Sequence, residues 1–338
     1  MSKNQDFNYS ELDAVIEERG KRILERFRQV AVSGVSNPEL LSILEEVKDG
    51  WRDTLRSALT SFSCEAVGGR PETADNASLM FTLAAAGIGI HDDIIDRSSE
   101  KHFRATVPGL HGLDNALLVG DLLIVKAWTV VQEMIRKNCQ PEKIAKIVEI
   151  YGNTCVKICE AEIMEISCRQ QLDTDIEYYK RILWMANADL EACTKLGAIL
   201  GDGSEKEVQA LAEIGKRLGF MLRLTDDVKD CLNIRGTLPH RIEYESVPLP
   251  LLYTAKSSKE KYLKIKFIID KSSVTPLDVE ELLRFCFEAE AFDYICGMAK
   301  QNEREAINRL RTLKNTGARN VLALIIRKSF RDVAHLCL

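Results

Sequence analysis

Proline is nearly absent from the centre of this 338-residue chain, and this feature restricts the possible folds more than any other. Only Pro141 occurs between Pro108 and Pro239. A proline inside a helix removes a backbone hydrogen bond and clashes with the preceding turn, so the two proline-free stretches leave room for several long helices. Apolar residues also recur at helical spacing from Leu40 to Leu55 and from Ile144 to Ile158. The sequence therefore predicts an all-α protein.

A coarse map of the chain contains helices and few alternating runs that would suit β-strands. Prolines at 38, 141 and 276 are expected in first helical turns, where a missing N–H costs nothing. We find no internal repeat and no low-complexity linker, so we expect a single helical domain over residues 1–338. Helices are predicted near residues 10–32, 38–63, 73–97, 112–137, 141–171, 175–200, 204–232, 246–270, 276–298 and 301–334, with loops at 98–111 and 233–245.

Composition and charge argue against several classes of protein. The formal net charge is −5 without a basic stripe, so nucleic acid is not an expected partner. The ten cysteines include no Cys-x-x-Cys pair, which fits a reducing compartment. The first residues are polar, unlike a signal peptide, and the apolar stretch Leu79–Ile90 is too short to cross a bilayer. We expect a cytoplasmic protein without a transmembrane segment.

Three aspartates follow that apolar stretch directly, at positions Asp92, Asp93 and Asp96. The first and last are four residues apart and therefore share one helical face. Carboxylates this close repel one another, and beside an apolar helix they need a neutralising cation. Ligands that are all oxygen favour a hard ion, and a few carboxylates completed by water and phosphate are typical of magnesium.

A second cluster, formed by Asp226, Asp227 and Asp230, has the same spacing and lies at the end of another predicted helix, Ile214–Leu224, most of whose residues are apolar. One such motif is compatible with a solvated helix end, whereas two copies in the same context favour metal binding. If both acidic ends meet at one mouth, six carboxylates would face each other, and metals bridging them could hold a diphosphate. A cavity lined by apolar helices would suit a substrate with a hydrocarbon tail.

With these paired motifs, the sequence from about residue 64 to 252 resembles the trans-isoprenyl diphosphate synthases, the polyprenyl synthetase family. The resemblance extends to several shorter segments outside the two clusters. These segments are Gly68-Gly69-Arg70-Pro71, His91-Asp92-Asp93-Ile94-Ile95-Asp96, Leu118-Val119-Gly120-Asp121-Leu122-Leu123, Leu196-Gly197-Ala198, Gly219-Phe220 and Pro250-Leu251-Leu252.

The resemblance implies an isoprenoid-synthase-type orthogonal bundle of helices around one deep central cavity, usually as a homodimer. It implies magnesium held by Asp92, Asp93, Asp96, Asp226, Asp227 and Asp230, which would be the catalytic residues. These ions would bind an allylic prenyl diphosphate and stabilise the charge of its leaving group. The double bond of isopentenyl diphosphate would then attack the allylic cation, giving a longer polyprenyl diphosphate.

The chain departs from the family pattern in its basic residues. The usual Gly-Gly-Lys-x-x-Arg-Pro is shortened to Gly68-Gly69-Arg70-Pro71, and two arginines after the first cluster are replaced by Lys101-His102-Phe103. Arg235 and Arg241 could restore some charge, although each is equally compatible with a solvated surface residue. The candidates for substrate binding are Arg70, Arg97, Lys101, His102, Arg104, Arg223 and Lys229.

These losses leave the acceptor open. The leading hypothesis is transfer to isopentenyl diphosphate, and the alternative is transfer to another acceptor or cyclisation of the cation, as in a terpene synthase. A third possibility is a non-catalytic regulatory partner of another prenyl synthase, although intact aspartates argue against it. His91 could orient Asp92 or form a structural hydrogen bond, and we favour the structural role.

In the trans-isoprenyl diphosphate synthases, the residues before the first aspartate cluster form the wall along which the product grows. Here they are small or slender, and the first aromatic residue is Phe81. Phe81 would lie roughly 16 Å along the helix from Asp92, which leaves space for several isoprene units. The small residues could equally serve close helix packing. The predicted tail-pocket residues are Phe81, Ala84, Gly87 and Ile88.

Overall fold

A computed structural model describes residues 9–101 and 103–336, and α-helices dominate it. Two short strands, β1 (Glu100–Lys101) and β2 (Arg104–Ala105), form an antiparallel hairpin. The prediction of an all-α protein is therefore confirmed. The helices are α1 (Tyr9–Val32), α2 (Pro38–Gly50), α3 (Leu55–Ala66), α4 (Asp75–Ile95), α5 (Val107–Arg136), α6 (Pro141–Ser167), α7 (Ile176–Ala186), α8 (Ala188–Leu200), α9 (Glu205–Cys231), α10 (Leu238–Tyr244), α11 (Leu249–Ser257), α12 (Lys259–Ile269), α13 (Pro276–Glu288), α14 (Ala291–Arg309) and α15 (Gly317–Lys328), with 3₁₀ turns at Pro71–Ala74, Leu310–Thr312 and Arg331–Leu336.

The predicted proline starts are confirmed at α2, α6 and α13. Before α2, the Asn37 side chain accepts a hydrogen bond from the backbone N–H of Leu40. Before α13, the side chains of Thr275 and Asp278 each accept from the other residue's backbone N–H, forming a capping box. These bonds satisfy N–H groups that have no partner within the helix, and so they fix where each helix begins.

Other boundaries differ from the predicted map. The predicted helix over 38–63 is two helices, because the backbone is extended at Trp51 and Asp53 Oδ1 accepts from the N–H of Leu55 at the new start. The predicted loop 98–111 includes the hairpin and the start of α5, where the Thr106 side chain accepts from Gly109 N. The predicted loop 233–245 contains α10, with Pro239 in its first turn.

The contacts divide the chain into two compact units. The first unit comprises residues 1–152, 189–212 and 310–325, and the second comprises 153–188, 213–309 and 326–338. The single domain expected over residues 1–338 stays a prediction.

In the first unit, α4 packs against α1, α3 and α5. Two glycines bring α4 and α5 close together, since a Cβ added at Gly87 would lie 2.5 Å from the carbonyl oxygen of Gly120. The side chains of Leu79, Met80 and Leu83 are fully buried along α4. This burial anchors the helix that ends in the first aspartate cluster.

In the second unit, a continuous apolar core involves α7, α9 and α11 to α14. Tyr179 on α7 is fully buried, and Phe220 on α9 stacks on Trp184 with ring centroids 4.0 Å apart. These contacts hold the C-terminal part of α9, which carries the second aspartate cluster.

One helical segment in the described part of the chain, Pro71–Ile95, is long and apolar enough to cross a membrane by length and composition. More than half of its apolar window, 56%, is buried within the protein. A core helix of a soluble protein passes the same test, so this segment is weak evidence for a membrane span.

Candidate active site

The first aspartate cluster occupies the C-terminal end of α4. Asp92 and Asp93 lie in its last turn, and Asp96 is the residue that follows the helix. The chain then turns through Arg97, whose φ is 55°, and the N–H of Ser98 bonds back to the carbonyl oxygen of Asp93. The C-terminal end of a helix carries a partial negative charge, which raises the cost of placing carboxylates there. A cation is therefore needed at this position.

Lys101 on β1 supplies such a cation. Its Nζ lies 2.7 Å from Asp92 Oδ2 and 2.8 Å from Asp93 Oδ1. Burial lowers the pKa of Lys101, but the two carboxylates outweigh it and raise that pKa above its usual value. Burial raises the pKa of Asp93, and Lys101 opposes this rise. The Lys101 side chain is 39% exposed, so water and small ligands can reach it.

The other basic residues predicted to bind substrate in the described part of the first unit are exposed to solvent. Arg97 and Arg104 are exposed. Arg70 is also exposed, and its Nε lies 4.0 Å from Glu72 Oε2. His102 lies outside the described residues. In this unit, the structure places Lys101 in direct contact with the first cluster.

His91 contacts α5. Its Nε2 lies 3.3 Å from the carbonyl oxygen of Leu117 and 3.4 Å from Asp121 Oδ1. The ring also fills the space beside Gly120, where an added Cβ would lie 2.4 Å from His91 Nε2. These contacts favour the structural role for His91.

The predicted tail-pocket residues lie along α4 at different depths. Phe81, Ala84 and Gly87 are buried, and Ile88 is partly buried. The Phe81 ring meets Tyr151 edge-on at a centroid distance of 5.6 Å. A side chain at Gly87 would collide with α5, so the small size of this residue allows α4 and α5 to pack closely.

The second cluster occupies the C-terminal end of α9, and its three members differ in environment. Asp226 is exposed, Asp230 is partly buried, and Asp227 is only 1% exposed. A buried carboxylate is costly unless donors surround it. The environment of Asp227 therefore determines what this cluster can bind.

Both oxygens of Asp227 accept hydrogen bonds from the protein. Oδ2 accepts from the backbone N–H of Leu249 at 3.0 Å. Oδ1 accepts from Arg241 Nη2 at 2.9 Å and from the Tyr179 hydroxyl at 3.3 Å. Burial raises the pKa of Asp227, and Arg241 is the strongest influence that opposes the rise.

Arg241 on α10 also binds the last member of the cluster, since its Nη1 lies 2.7 Å from Asp230 Oδ2. The other oxygen, Asp230 Oδ1, accepts from the hydroxyl of Thr237 at 2.9 Å. Arg241 therefore connects Asp227 and Asp230. Its side chain is only 4% exposed.

Glu165 on α6 lies beside this group and contacts two arginines. Its Oε2 accepts from Arg223 Nη2 at 2.9 Å, and its Oε1 lies 3.8 Å from Arg241 Nη2. Burial alone would raise the pKa of Glu165, but Arg223 and Arg241 outweigh it and lower that pKa. The hydroxyl of Ser246 donates to Glu165 Oε1 at 2.7 Å. Lys229 lies on α9 directly before Asp230 and is partly buried.

Sequence reasoning missed Glu165, Tyr179 and Ser246 as parts of this site. Each is a common residue type far from the cluster in sequence, so no local motif identifies it. Arg241 was a candidate for restored charge, but it was placed in a loop. The Thr237-Leu238-Pro239 segment, with proline in a first helical turn, is the signal that could have placed it on a helix.

The carboxylate oxygens are the type of ligand that magnesium prefers, but the two clusters fit a metal differently. Across residues 9–101 and 103–336, no three His, Cys, Asp or Glu side chains already converge on a point as metal ligands would. The first cluster fits, because Asp92 is 42% exposed and its partner Lys101 is within reach of solvent. The second cluster fits through the exposed Asp226, because protein donors hold Asp227 and Asp230.

Comparison with known proteins identifies the family. The polyprenyl synthetase family model matches residues 39–285. The chain is 29% identical over 306 residues to a short chain isoprenyl diphosphate synthase of Methanothermobacter thermautotrophicus, covering 89% of this chain and 92% of the relative. It is 26% identical over 304 residues to a geranylgeranyl diphosphate synthase of Methanosarcina mazei, covering 86% and 89%.

A solved structure shows the same fold. The geranylgeranyl pyrophosphate synthetase of Pyrococcus horikoshii superimposes with a TM-score of 0.83 at 25% identity, covering 95% of this chain and 98% of the other. This likeness and the family match over residues 39–285 agree with the paired aspartate motifs. The chain belongs to the polyprenyl synthetase family and is a prenyltransferase of the polyprenyl diphosphate synthase type.

Proposed function

We propose that this prenyltransferase uses magnesium to ionise an allylic prenyl diphosphate and condenses it with isopentenyl diphosphate to give a longer polyprenyl diphosphate. The observation that carries the proposal is the pair of aspartate clusters, which have the same spacing, lie at the C-terminal ends of α4 and α9, and each contact a basic side chain. The names of the relatives in Methanothermobacter and Methanosarcina support a diphosphate substrate.

In the proposed reaction, the allylic carbon–oxygen bond breaks and its electron pair leaves with the diphosphate. The double bond of isopentenyl diphosphate then forms the new carbon–carbon bond, and loss of a proton to the diphosphate restores a double bond. Magnesium would neutralise the leaving diphosphate, and Asp92, Asp93, Asp96 and Asp226 are the carboxylates that would hold it. Asp227 and Asp230 were predicted to take part as well, but both already accept hydrogen bonds from Arg241.

Basic side chains would orient the diphosphate groups. Lys101 is suited to this role because its ammonium is partly exposed and is already beside Asp92. When a metal neutralises the carboxylates, Lys101 would be released to contact a phosphate oxygen. Arg223 is also partly exposed on α9, one turn before the second cluster. Arg70, Arg97, His102, Arg104 and Lys229 remain proposed contacts.

We propose that the prenyl tail extends along α4 from Asp92 towards Phe81. Phe81 is 3% exposed and closed in by Tyr151, so this ring is the proposed end of the tail pocket. Ala84 lies between these two ends and has a small side chain. The distance of roughly 16 Å along the helix suits products of several isoprene units.

We also propose that the enzyme is a cytoplasmic homodimer. The helix α5 exposes apolar side chains at intervals that place several of them on one face. An exposed apolar stripe of this kind suits burial against the same stripe of a second copy, as a twofold interface requires. The exposed apolar residues of α5 are Leu110, Leu113, Leu117, Leu118, Val125, Trp128 and Ile135.

The shortened segment Gly68–Pro71 favours an alternative acceptor. Its arginine, Arg70, lies on the surface beside Glu72, so a rigid diphosphate clamp is not built at this point. In this alternative, the same ionised allylic cation would be transferred to a different acceptor or would cyclise.

Product analysis separates these functions. Purified protein is incubated with magnesium and geranyl or farnesyl diphosphate, with and without isopentenyl diphosphate, and the products are identified by mass spectrometry. Longer diphosphates that require isopentenyl diphosphate support the proposal. Pyrophosphate release and a hydrocarbon or alcohol without isopentenyl diphosphate support the alternative. Unchanged starter under every condition overturns both.

A paired substitution tests the non-catalytic possibility. Asp92→Asn and Asp226→Asn should each abolish turnover if the carboxylates act in catalysis. Wild-type biological function in both variants would instead favour a regulatory partner of another prenyl synthase.

A further inference from the structure

The two aspartate clusters differ in how the chain neutralises them. Lys101 contacts the first and second aspartates of the first cluster, whereas Arg241 contacts the second and third aspartates of the second. The Lys101 side chain is 39% exposed, and that of Arg241 is 4% exposed. Lys101 is therefore accessible from solvent, whereas Arg241 is enclosed by the protein.

Arg241 is held by more than the aspartates. Its Nε donates to the carbonyl oxygen of Ser246 at 3.2 Å, and its Nη2 donates to the Tyr179 hydroxyl at 3.0 Å. Glu165 and Glu245 carboxylate oxygens lie 3.8 Å and 3.7 Å from the guanidinium. All three of its nitrogens thus have partners, in the forked geometry that a guanidinium provides.

The position of this guanidinium conflicts with a metal ion shared by Asp227 and Asp230. Magnesium binds carboxylate oxygens at about 2.0–2.1 Å and requires a near-octahedral shell. Asp227 Oδ1 and Asp230 Oδ2 both point at Arg241, at 2.9 Å and 2.7 Å. A bridging ion would have to push the Arg241 guanidinium away from Asp227 and Asp230. The guanidinium would then remain buried without its two closest anions, which is unfavourable.

We propose that Arg241 is a resident counter-cation of the second cluster and takes the place of a divalent ion between Asp227 and Asp230. In this arrangement, Asp227 and Asp230 position α10 and the segment before Leu249, and Asp226 alone of this cluster remains available to metal or substrate. The inference rests on the proposed prenyl transfer, because it concerns how the same site obtains its positive charge. Arg241 is a positioning residue in this arrangement.

The guanidinium is suited to this role because it stays charged at every physiological pH. A metal ion can dissociate, whereas Arg241 is part of the chain. The second cluster would therefore need no divalent ion between Asp227 and Asp230.

The test counts bound ions, with Mn²⁺ as a spectroscopic substitute for magnesium. Full-length wild type, Asp230→Asn, Asp92→Asn and Arg241→Gln are titrated with Mn²⁺, and free Mn²⁺ is followed by electron paramagnetic resonance, with and without inorganic pyrophosphate. Arg284→Gln is the matched control, because Arg284 is an exposed arginine of α13 that pairs with Glu281. Circular dichroism establishes that each variant is folded.

We expect Asp230→Asn and Arg284→Gln to bind the same number of Mn²⁺ ions as wild type, with affinities within about twofold. Arg241→Gln should gain about one ion per chain, because its removal frees two carboxylates for chelation. A purely structural role for Arg241 would produce no such gain. Loss of one ion in Asp230→Asn, or a folded Arg241→Gln without an additional ion, would overturn the inference.

If Arg241→Gln does not fold, the count for Asp230→Asn decides the question. The number of bound Mn²⁺ ions is measured without a prenyl substrate. The inference about Arg241 can therefore fail or succeed independently of the proposed prenyl transfer. Asp92→Asn tests the first cluster separately, and we expect it to lose or weaken Mn²⁺ binding by at least about tenfold.

Discussion

Lys101 Nζ lies 2.7 Å from Asp92 Oδ2, so the chain itself provides a cation for the first aspartate of the first cluster. The ammonium is a single charge on a flexible stem, and it is joined to a short hairpin rather than to a helix. In the proposed reaction, it would exchange the carboxylates for a phosphate oxygen when a metal binds. This exchange would couple metal binding to substrate binding at the end of α4.

Replacing Lys101 by methionine separates its two proposed contacts. We expect Lys101→Met to bind Mn²⁺ a few-fold more tightly, because the competing cation is gone, an effect on the order of 1 kcal/mol or less. The KM for the allylic diphosphate should rise by about tenfold, because a charge-assisted hydrogen bond is lost. Mn²⁺ titration and steady-state kinetics measure the two effects.

Lys137→Met is the control for this change, since Lys137 forms an exposed pair with Glu133 at the end of α5. Lys137→Met should change neither the Mn²⁺ affinity nor the KM for the allylic diphosphate. An unchanged KM in Lys101→Met would remove this residue from the proposed substrate contacts.

Two glycines of α4, Gly87 and Gly89, provide a matched test of helix packing. A Cβ at Gly87 would lie 2.5 Å from Gly120 O and 2.8 Å from Ile124 Cγ1, whereas a Cβ at Gly89 meets nothing within 4 Å. Gly87→Ala should therefore cost about 1–3 kcal/mol of stability, because α4 and α5 must separate. Gly89→Ala should gain up to about 1 kcal/mol from helix propensity.

Urea unfolding of the two variants measures this difference. Equal stabilities would contradict the close contact between α4 and α5. A destabilised Gly87→Ala with unchanged product lengths would assign Gly87 to packing rather than to the tail pocket.

The sequence predicted the fold and the clusters because these depend on local patterns. Proline spacing gave the starts of α2, α6 and α13, and the two Asp-Asp-x-x-Asp segments are visible directly. The role of Arg241 could not be predicted in this way. It depends on a seven-residue helix, α10, and on partners such as Glu165 that are distant in sequence. Such contacts are set by tertiary packing, which single-sequence periodicity does not report.

The capping box of α13 predicts a pH dependence of stability in the second unit. A hydrogen bond from Lys271, with further bonds from Thr275, lowers the pKa of Asp278 to about 2 from its usual 3.8. A lowered pKa means that the folded state favours the ionised carboxylate. Asp278 therefore stabilises the fold above about pH 4, and this contribution is lost as the pH falls towards 2.

Asp278→Asn should consequently be less stable than wild type at pH 6, and the difference should disappear as the pH approaches 2. Urea unfolding at a series of pH values measures it. Glu280→Gln is the control, because Glu280 is exposed on the same helix. A constant difference between Asp278→Asn and wild type across this range would contradict the assignment.

Phe81 provides the test of product length. If its ring ends the tail pocket, Phe81→Leu opens space beside Tyr151 and allows the chain to grow further. We expect products longer by at least one isoprene unit, at a stability cost of about 1–2 kcal/mol. Mass spectrometry of products from isopentenyl diphosphate and a fixed allylic starter measures the shift.

Phe62→Leu removes the same ring atoms from another buried site of the first unit, where the ring contacts Arg19 on α1. This control should lose comparable stability without lengthening the products. Longer products in Phe81→Leu alone would assign the ring to the pocket, because general loosening of the core would affect both variants. Unchanged products in Phe81→Leu would place the end of the tail elsewhere.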